Sequence, residues 1–213
     1  ALLVGVVTGV GVWRLKPSVP ATVTRLSFAL PESQFLSVGP AQMIAISPDG
    51  QTIVFVARSG GGSQLWVRKF DSSTARPLAG TFGAKRPFWS PDGRSLGFFA
   101  DVSLKTIDIE AGSVKTLASE IATAIGGTWN RDGVILYTPD ARGPVYRVSA
   151  GGGTPAVASA YGEKDATHRY PSFLPDGRHF LYLVRHGGAG AGQNPEIRVG
   201  ALDSKESQIV VSA

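Results

Sequence analysis

Residues 86–94 read Arg-Pro-Phe-Trp-Ser-Pro-Asp-Gly-Arg, and the pattern at their centre returns along the chain. Ile46-Ser-Pro-Asp-Gly50, Trp89-Ser-Pro-Asp-Gly93, Trp129-Asn-Arg-Asp-Gly133 and Phe173-Leu-Pro-Asp-Gly177 align with one another. The pairs Asp49-Gly50, Asp92-Gly93, Asp132-Gly133 and Asp176-Gly177 stand 43, 40 and 44 residues apart. In Ser-Pro-Asp-Gly the proline presets φ at the first central turn position and aspartate suits the second. Glycine then takes the left-handed conformation that closes a hairpin loop. A recurrence of about forty residues marks a repeat architecture.

Each Asp-Gly is followed by an apolar run suited to a strand: Ile53-Val-Phe-Val56, Leu96-Gly-Phe-Phe99, Val134-Ile-Leu-Tyr137 and Phe180-Leu-Tyr-Leu-Val184. A second run follows, such as Gln64-Leu-Trp-Val-Arg68 and Glu196-Ile-Arg-Val199, and then a third, such as Val114-Lys-Thr-Leu117. With the strand that leads into each turn, every unit has four strands. No twelve-residue segment beyond the N-terminus shows helical periodicity. The expected fold is all-β, a partial β-propeller of four four-stranded antiparallel blades at about 41–80, 84–118, 124–159 and 169–211. The large residue three places before each turn aspartate is expected to pack between neighbouring sheets. The alternating stretch at 22–30 reads as a closing strand of a further blade, so the expected ring is unfinished. On that reading the chain is cut at both ends, a complete ring has six blades, and the first and fourth blades expose faces meant for burial.

The N-terminus is different. Ala1 to Trp13 carries no charge, and Arg14, Lys16 and Pro17 follow. Thirteen helical residues reach about 20 Å, short of a bilayer core of about 30 Å. The stretch 1–14 is read as the end of a truncated transmembrane helix, with a signal segment or a buried element of the fold as alternatives. Residues 15–21 read as a linker.

Composition limits the chemistry. The 213 residues include no cysteine, which excludes disulfide scaffolds, zinc ribbons and iron–sulfur sites. Lysine and arginine number 21 against 16 aspartates and glutamates, a net charge of +5 with no basic run. No nucleic-acid partner is expected.

These units resemble TolB-type, WD-repeat-like β-propeller repeats across 22–213. More closely, Arg25-Leu-Ser-Phe-Ala-Leu-Pro31, Arg86-Pro-Phe-Trp-Ser-Pro-Asp-Gly-Arg94, Gly126-Gly-Thr-Trp129 and His168-Arg-Tyr-Pro-Ser-Phe-Leu-Pro-Asp-Gly-Arg-His-Phe-Leu-Tyr182 resemble the extracytoplasmic propeller of bacterial membrane-anchored serine/threonine protein kinases. That resemblance implies a non-catalytic sensor displayed on the periplasmic side of the cytoplasmic membrane. The apolar N-terminus falls where that family has its membrane helix. Two alternatives are a periplasmic TolB-like protein-binding scaffold and the propeller of a prolyl-oligopeptidase-like serine peptidase. No kinase motif lies in the chain: His168-Arg169 is followed by Tyr170, not by a catalytic aspartate.

No catalytic, cofactor-binding or metal-binding residues are expected. No Gly-x-Ser-x-Gly elbow occurs. His168, His179 and His186 lack ligand spacing and read as structural hydrogen-bonding groups. Each Asp-Gly turn offers one carboxylate, too few for calcium. The glycine run at 187–192 lacks the Lys-Ser/Thr of a phosphate loop. Arg86, His168 and Arg169 are expected just before innermost strands, facing the propeller's mouth, as contacts for a protein or small ligand.

Overall fold

The structure, a computed structural model, describes residues 35–36, 43–59, 61–187 and 194–212. The expected transmembrane end at 1–14, linker at 15–21 and closing strand at 22–30 lie outside the described residues. Among the described residues no helix is long and apolar enough to cross a membrane.

Among the described residues seventeen strands form four sheets. The first blade contains β1 (Phe35–Leu36), β2 (Ile44–Ile46), β3 (Thr52–Ser59), β4 (Gly62–Lys69) and β5 (Arg76–Pro77). The second contains β6 (Lys85–Trp89), β7 (Ser95–Ala100), β8 (Ser103–Asp108) and β9 (Val114–Ala118). The third contains β10 (Gly127–Trp129), β11 (Val134–Tyr137), β12 (Tyr146–Ser149) and β13 (Ala156–Val157). The fourth contains β14 (Asp165–Phe173), β15 (His179–His186), β16 (Glu196–Ala201) and β17 (Ser207–Ser212). All pairings within the sheets are antiparallel, and all but that of β1 with β3 join consecutive strands. The innermost strands β2, β6, β10 and β14 neighbour one another in turn, as blades around an axis do.

Two boundaries differ from expectation. The fourth blade begins at Asp165 rather than 169, so His168 and Arg169 lie inside β14. In the first blade β1 and β2 share one edge of β3, at Ala57–Arg58 and at Ile53–Phe55. The innermost position there is occupied by two short segments, the earlier of which precedes residue 41.

The turns form as their chemistry demands. Gly50, Gly93, Gly133 and Gly177 take φ of 70–74°. Each donates its N–H to the carbonyl three residues back, for example Gly93 N to Ser90 O at 3.0 Å. In the first two turns a serine locks the loop: Ser90 Oγ donates to Asp92 Oδ1 at 2.5 Å and accepts from Ser95 N at 2.9 Å. The Ser90 hydroxyl therefore holds the Asp92 carboxyl below its ordinary range, and Ser47 does the same for Asp49. In the third turn Asn130, not Asp132, accepts the loop N–H groups, from Asp132 and Val134. In the fourth, Asp176 accepts from Arg178 N and His179 N, and the His179 ring holds its pKa down to about 2.

The core lies in the seams between blades. Val54, Val56, Leu65 and Val67 meet Leu96, Phe98 and Ile107 in the first seam, with Trp89 packed against them. Phe88, Phe99 and Leu104 meet Ile135, Tyr137 and Val148 in the second, with Trp129. Leu136 and Val145 meet Phe180, Tyr182 and Val184 in the third, with Phe173. The large residue before each turn thus fills a seam in three blades. Ile46, its counterpart in the first blade, is 57% exposed instead.

Two glycines make the second seam possible. A Cβ at Gly97 would fall 2.2 Å from the Phe88 ring, and one at Gly127 2.5 Å from it. The ring is wedged between a glycine of its own blade and a glycine of the next. The rims are clasped by long cations that reach the loop of the following blade. Arg76 Nη2 donates to Ile109 O at 2.9 Å, Lys115 Nζ donates to Gly151 O, and Arg147 Nη1 donates to Leu202 O at 2.8 Å.

Candidate functional site

The innermost strands begin at one end of the ring, and the same position there takes a positive φ in three blades. Arg86, Gly126 and Tyr170 each stand six residues before a turn aspartate, with φ of 51°, 120° and 53°. A left-handed backbone costs a non-glycine residue roughly 1–2 kcal/mol. The sheets show where this comes from. The β6 register jumps between Lys85 and Phe88, and the β14 register between Arg169 and Ser172. In both strands two residues oppose one, a bulge whose second member is Pro87 or Pro171, which has no N–H to give the ladder.

The bulges re-aim their side chains. The Arg86 guanidinium carbon lies 6.0 Å from the centroid of the Tyr170 ring, a cation–π approach between the second and fourth blades. Gly126 of the third blade lies beside Tyr170: a Cβ there would come within 3.3 Å of Tyr170 Cα. Tyr170 N donates to Ile125 O at 3.3 Å, and the residue remains 49% exposed. Arg86 is half-buried. Deeper along the innermost strands, Ile44, Ile46, Phe88 and Thr128 line a cleft of about 490 Å³.

The other expected mouth residues go elsewhere. Arg169 is half-buried and turns to the third blade, its Nη2 donating to Ala141 O at 3.3 Å. His168 does not face the mouth as expected: it is fully buried. Its strand starts four residues earlier than 169, which carries it into the third seam. There Ser159 Oγ lies 2.7 Å from His168 Nδ1, and His168 Nε2 lies 3.0 Å from Asp165 Oδ2. Asp165 accepts only, so Nε2 carries the proton, and Ser159 donates to Nδ1 while accepting from Val145 N at 2.9 Å. Burial holds the His168 pKa below its ordinary 6.5, so the ring is neutral. Burial pushes Asp165 upward, but bonds from Gly162 N and His168 outweigh it and hold its pKa below the ordinary value.

Ser159, His168 and Asp165 have the order of a nucleophile, a base and an acid. With Ser159 and His168 shut away from solvent, the trio joins two blades instead of meeting a substrate. Beside it His186 lies between Asp165 and Glu196, at 3.4 Å from each, without hydrogen-bond geometry, and Arg198 reaches both carboxylates. Among the described residues no three such groups are placed to hold a metal ion. Sequence reading missed Tyr170 as a partner of Arg86. The shared spacing from the turn, with Pro87 and Pro171 following, was the available signal.

No family model matches the chain. The likeness to solved structures is one of fold. Solved TolB proteins superimpose on the four blades: a putative TolB from Agrobacterium tumefaciens with TM-score 0.66 and 17% identity, over 83% of this chain and 68% of that one. TolB from Acinetobacter baumannii gives 0.66 and 18%, over 82% of this chain and 44% of that one. The chain has a TolB-like β-propeller fold. A puromycin hydrolase is also similar, with TM-score 0.60 and 16% identity, over 82% of this chain and 29% of that one. In sequence the chain is 31% identical over 141 residues to the uncharacterized peptidase YuxL of Bacillus subtilis, covering 64% of this chain. The chain spans 20% of that relative's length.

Proposed function

We propose that this propeller is a non-catalytic interaction module whose mouth receives a carboxylate-bearing protein segment or small ligand at Arg86 and Tyr170. The observation that carries this reading is the pair of strained bulges. Left-handed backbone at Arg86 and Tyr170 brings a cation and an exposed ring together beside Gly126. Strain of this kind persists where the surroundings over-determine it, and such places are typically binding sites. A guanidinium takes a carboxylate through two parallel N–H donors, and the tyrosine ring supplies a flat apolar wall.

In the parent protein the module lies outside the cytoplasmic membrane, tethered by a helix to a serine/threonine kinase, and occupancy of the mouth biases the kinase. The repeat text and the apolar N-terminus support this. A second reading has its own support: 31% identity over 141 residues to a peptidase. There the propeller would gate a hydrolase. The fold likeness equally suits a periplasmic TolB-like scaffold.

Two experiments test these readings. In NMR titrations, a short peptide with a free C-terminal carboxylate is expected to shift the Arg86 and Tyr170 side-chain resonances, and its amidated counterpart to leave them unchanged. Arg86→Ala abolishes the shift at Tyr170. Equal shifts with both peptides, or none, reject the mouth assignment. The flanking coding sequence separates the parents: a kinase frame upstream, an α/β-hydrolase elbow downstream, or a cleaved leader.

A further inference from the structure

The seam between the first and second blades opens, on the side of the Asp-Gly turns, into a groove of about 830 Å³. Arg68, Lys69, Arg76 and Arg94 line it, against Asp108 and Glu110. Asp108 is committed to its own loop, its Oδ1 accepting from Glu110 N at 3.0 Å and Ala111 N at 2.7 Å. Lys69, Arg76 and Arg94 form no ion pair with any described residue. Arg76 spends one N–H on Ile109 O and keeps the rest of its fork.

The fourth blade shows what Arg94 forgoes. Arg94 and Arg178 occupy the same place after their Pro-Asp-Gly turns. The carbonyl of Arg94 accepts from Ile109 N at 3.0 Å, and that of Arg178 from Leu202 N at 3.1 Å. The next residue is acidic in both, Glu110 and Asp203. Arg178 pairs with Asp203 at 2.7 Å. Arg94 does not pair with Glu110, and its side chain lines the groove.

We infer that this groove docks an acidic, extended peptide segment of a partner protein, with its carboxylates taken by Arg94, Lys69 and Arg76. The mixture of surfaces chooses a peptide over a nucleic acid. Val67, Ala75 and Ile109 give the groove apolar wall for peptide side chains. Nucleic acid needs open aromatic faces for stacking, whereas Trp89, the groove's aromatic residue, is packed against the first-seam core. Glu110 would meet an unbroken row of phosphates unfavourably, but leaves room for carboxylates spaced along a peptide.

The test uses the full chain and a fluorescein-labelled peptide of alternating glutamate and glycine, followed by anisotropy. Saturable binding that weakens as salt rises is expected. Lys69→Glu with Arg94→Glu raises Kd by at least about tenfold, whereas Arg178→Glu changes it by less than about twofold. These side chains are exposed, so the thermal midpoints should match the parent's. If charge reversal disturbs folding, Lys69→Ala with Arg94→Ala is expected to weaken binding in the same direction. No saturable binding at low salt overturns the assignment, as does unchanged affinity in the double variants. A labelled oligothymidylate that binds more tightly, and is lost with the same variants, makes the groove a nucleic-acid site and overturns the peptide reading.

Discussion

The seam between the third and fourth blades is closed by polar side chains, while the seam between the first and second stands open at its turn side. In the closed seam Ser159 and His168 bond across the blades, Arg147 reaches Leu202 O, and Lys205 returns to Val157 O. In the open one Arg76 reaches Ile109 O beside a groove rich in cations. The backbone frame is the same, down to the bond between the residue after the turn and the loop that follows the third strand. One repeat template can therefore rigidify a seam or leave it open for a partner. The choice lies in side chains that the repeat does not fix.

The largest effect is expected where the closed seam is broken. His168→Ala strands a buried hydroxyl and the Asp165 carboxylate and should lower stability by roughly 3 kcal/mol, measured by urea denaturation. A loss under about 0.5 kcal/mol would show that the trio does not hold the seam.

The middle seam, filled by an apolar ring, gives the next effect. Gly127→Ala drives a methyl into Phe88, which Gly97 confines from its other side, and should cost about 1–3 kcal/mol. An unchanged denaturation midpoint would mean that the ring is not wedged between blades.

The closed seam also carries a pH dependence. The unfolded chain's His168 takes a proton near its ordinary 6.5, while burial holds the folded ring's pKa lower. The folded state therefore binds fewer protons, and stability present above pH 6.5 is lost as the pH falls below it. Asp165 adds a further loss in more acid solution, below its ordinary 3.8. His168→Gln should remove the first step and keep the second. An unaltered first step would assign it to another group.

The smallest effect is expected at the Arg178–Asp203 pair, which is exposed on both sides. Arg178→Ala should leave the thermal midpoint unchanged within error, because solvent screens such pairs. A clear fall would mean that this pair, absent from the open seam, is part of what closes the other.

The turns and most strands were legible from the sequence because each is local. Proline, aspartate and glycine set a loop within four residues, and the apolar runs between loops set the strands. The side-chain partnerships were not legible. Arg86 and Tyr170 stand far apart in sequence, and Arg94 and Arg178 follow the same Pro-Asp-Gly text although only Arg178 forms an ion pair with a described residue. The starting residue of β14 was misplaced because Asp165-Ala-Thr-His168 has little apolar alternation, so the pattern gave no reason to extend the strand. Its pairing with Arg185 and His186 supplies the reason in three dimensions.

Consecutive blades meet through their innermost strands, and the Phe88 ring reports on that most directly. Isotope-edited NMR should show nuclear Overhauser contacts from the Phe88 ring protons to the α-protons of both Gly97 and Gly127. Contacts to Gly97 alone would confine the ring to its own sheet and contradict the packing of the second blade on the third.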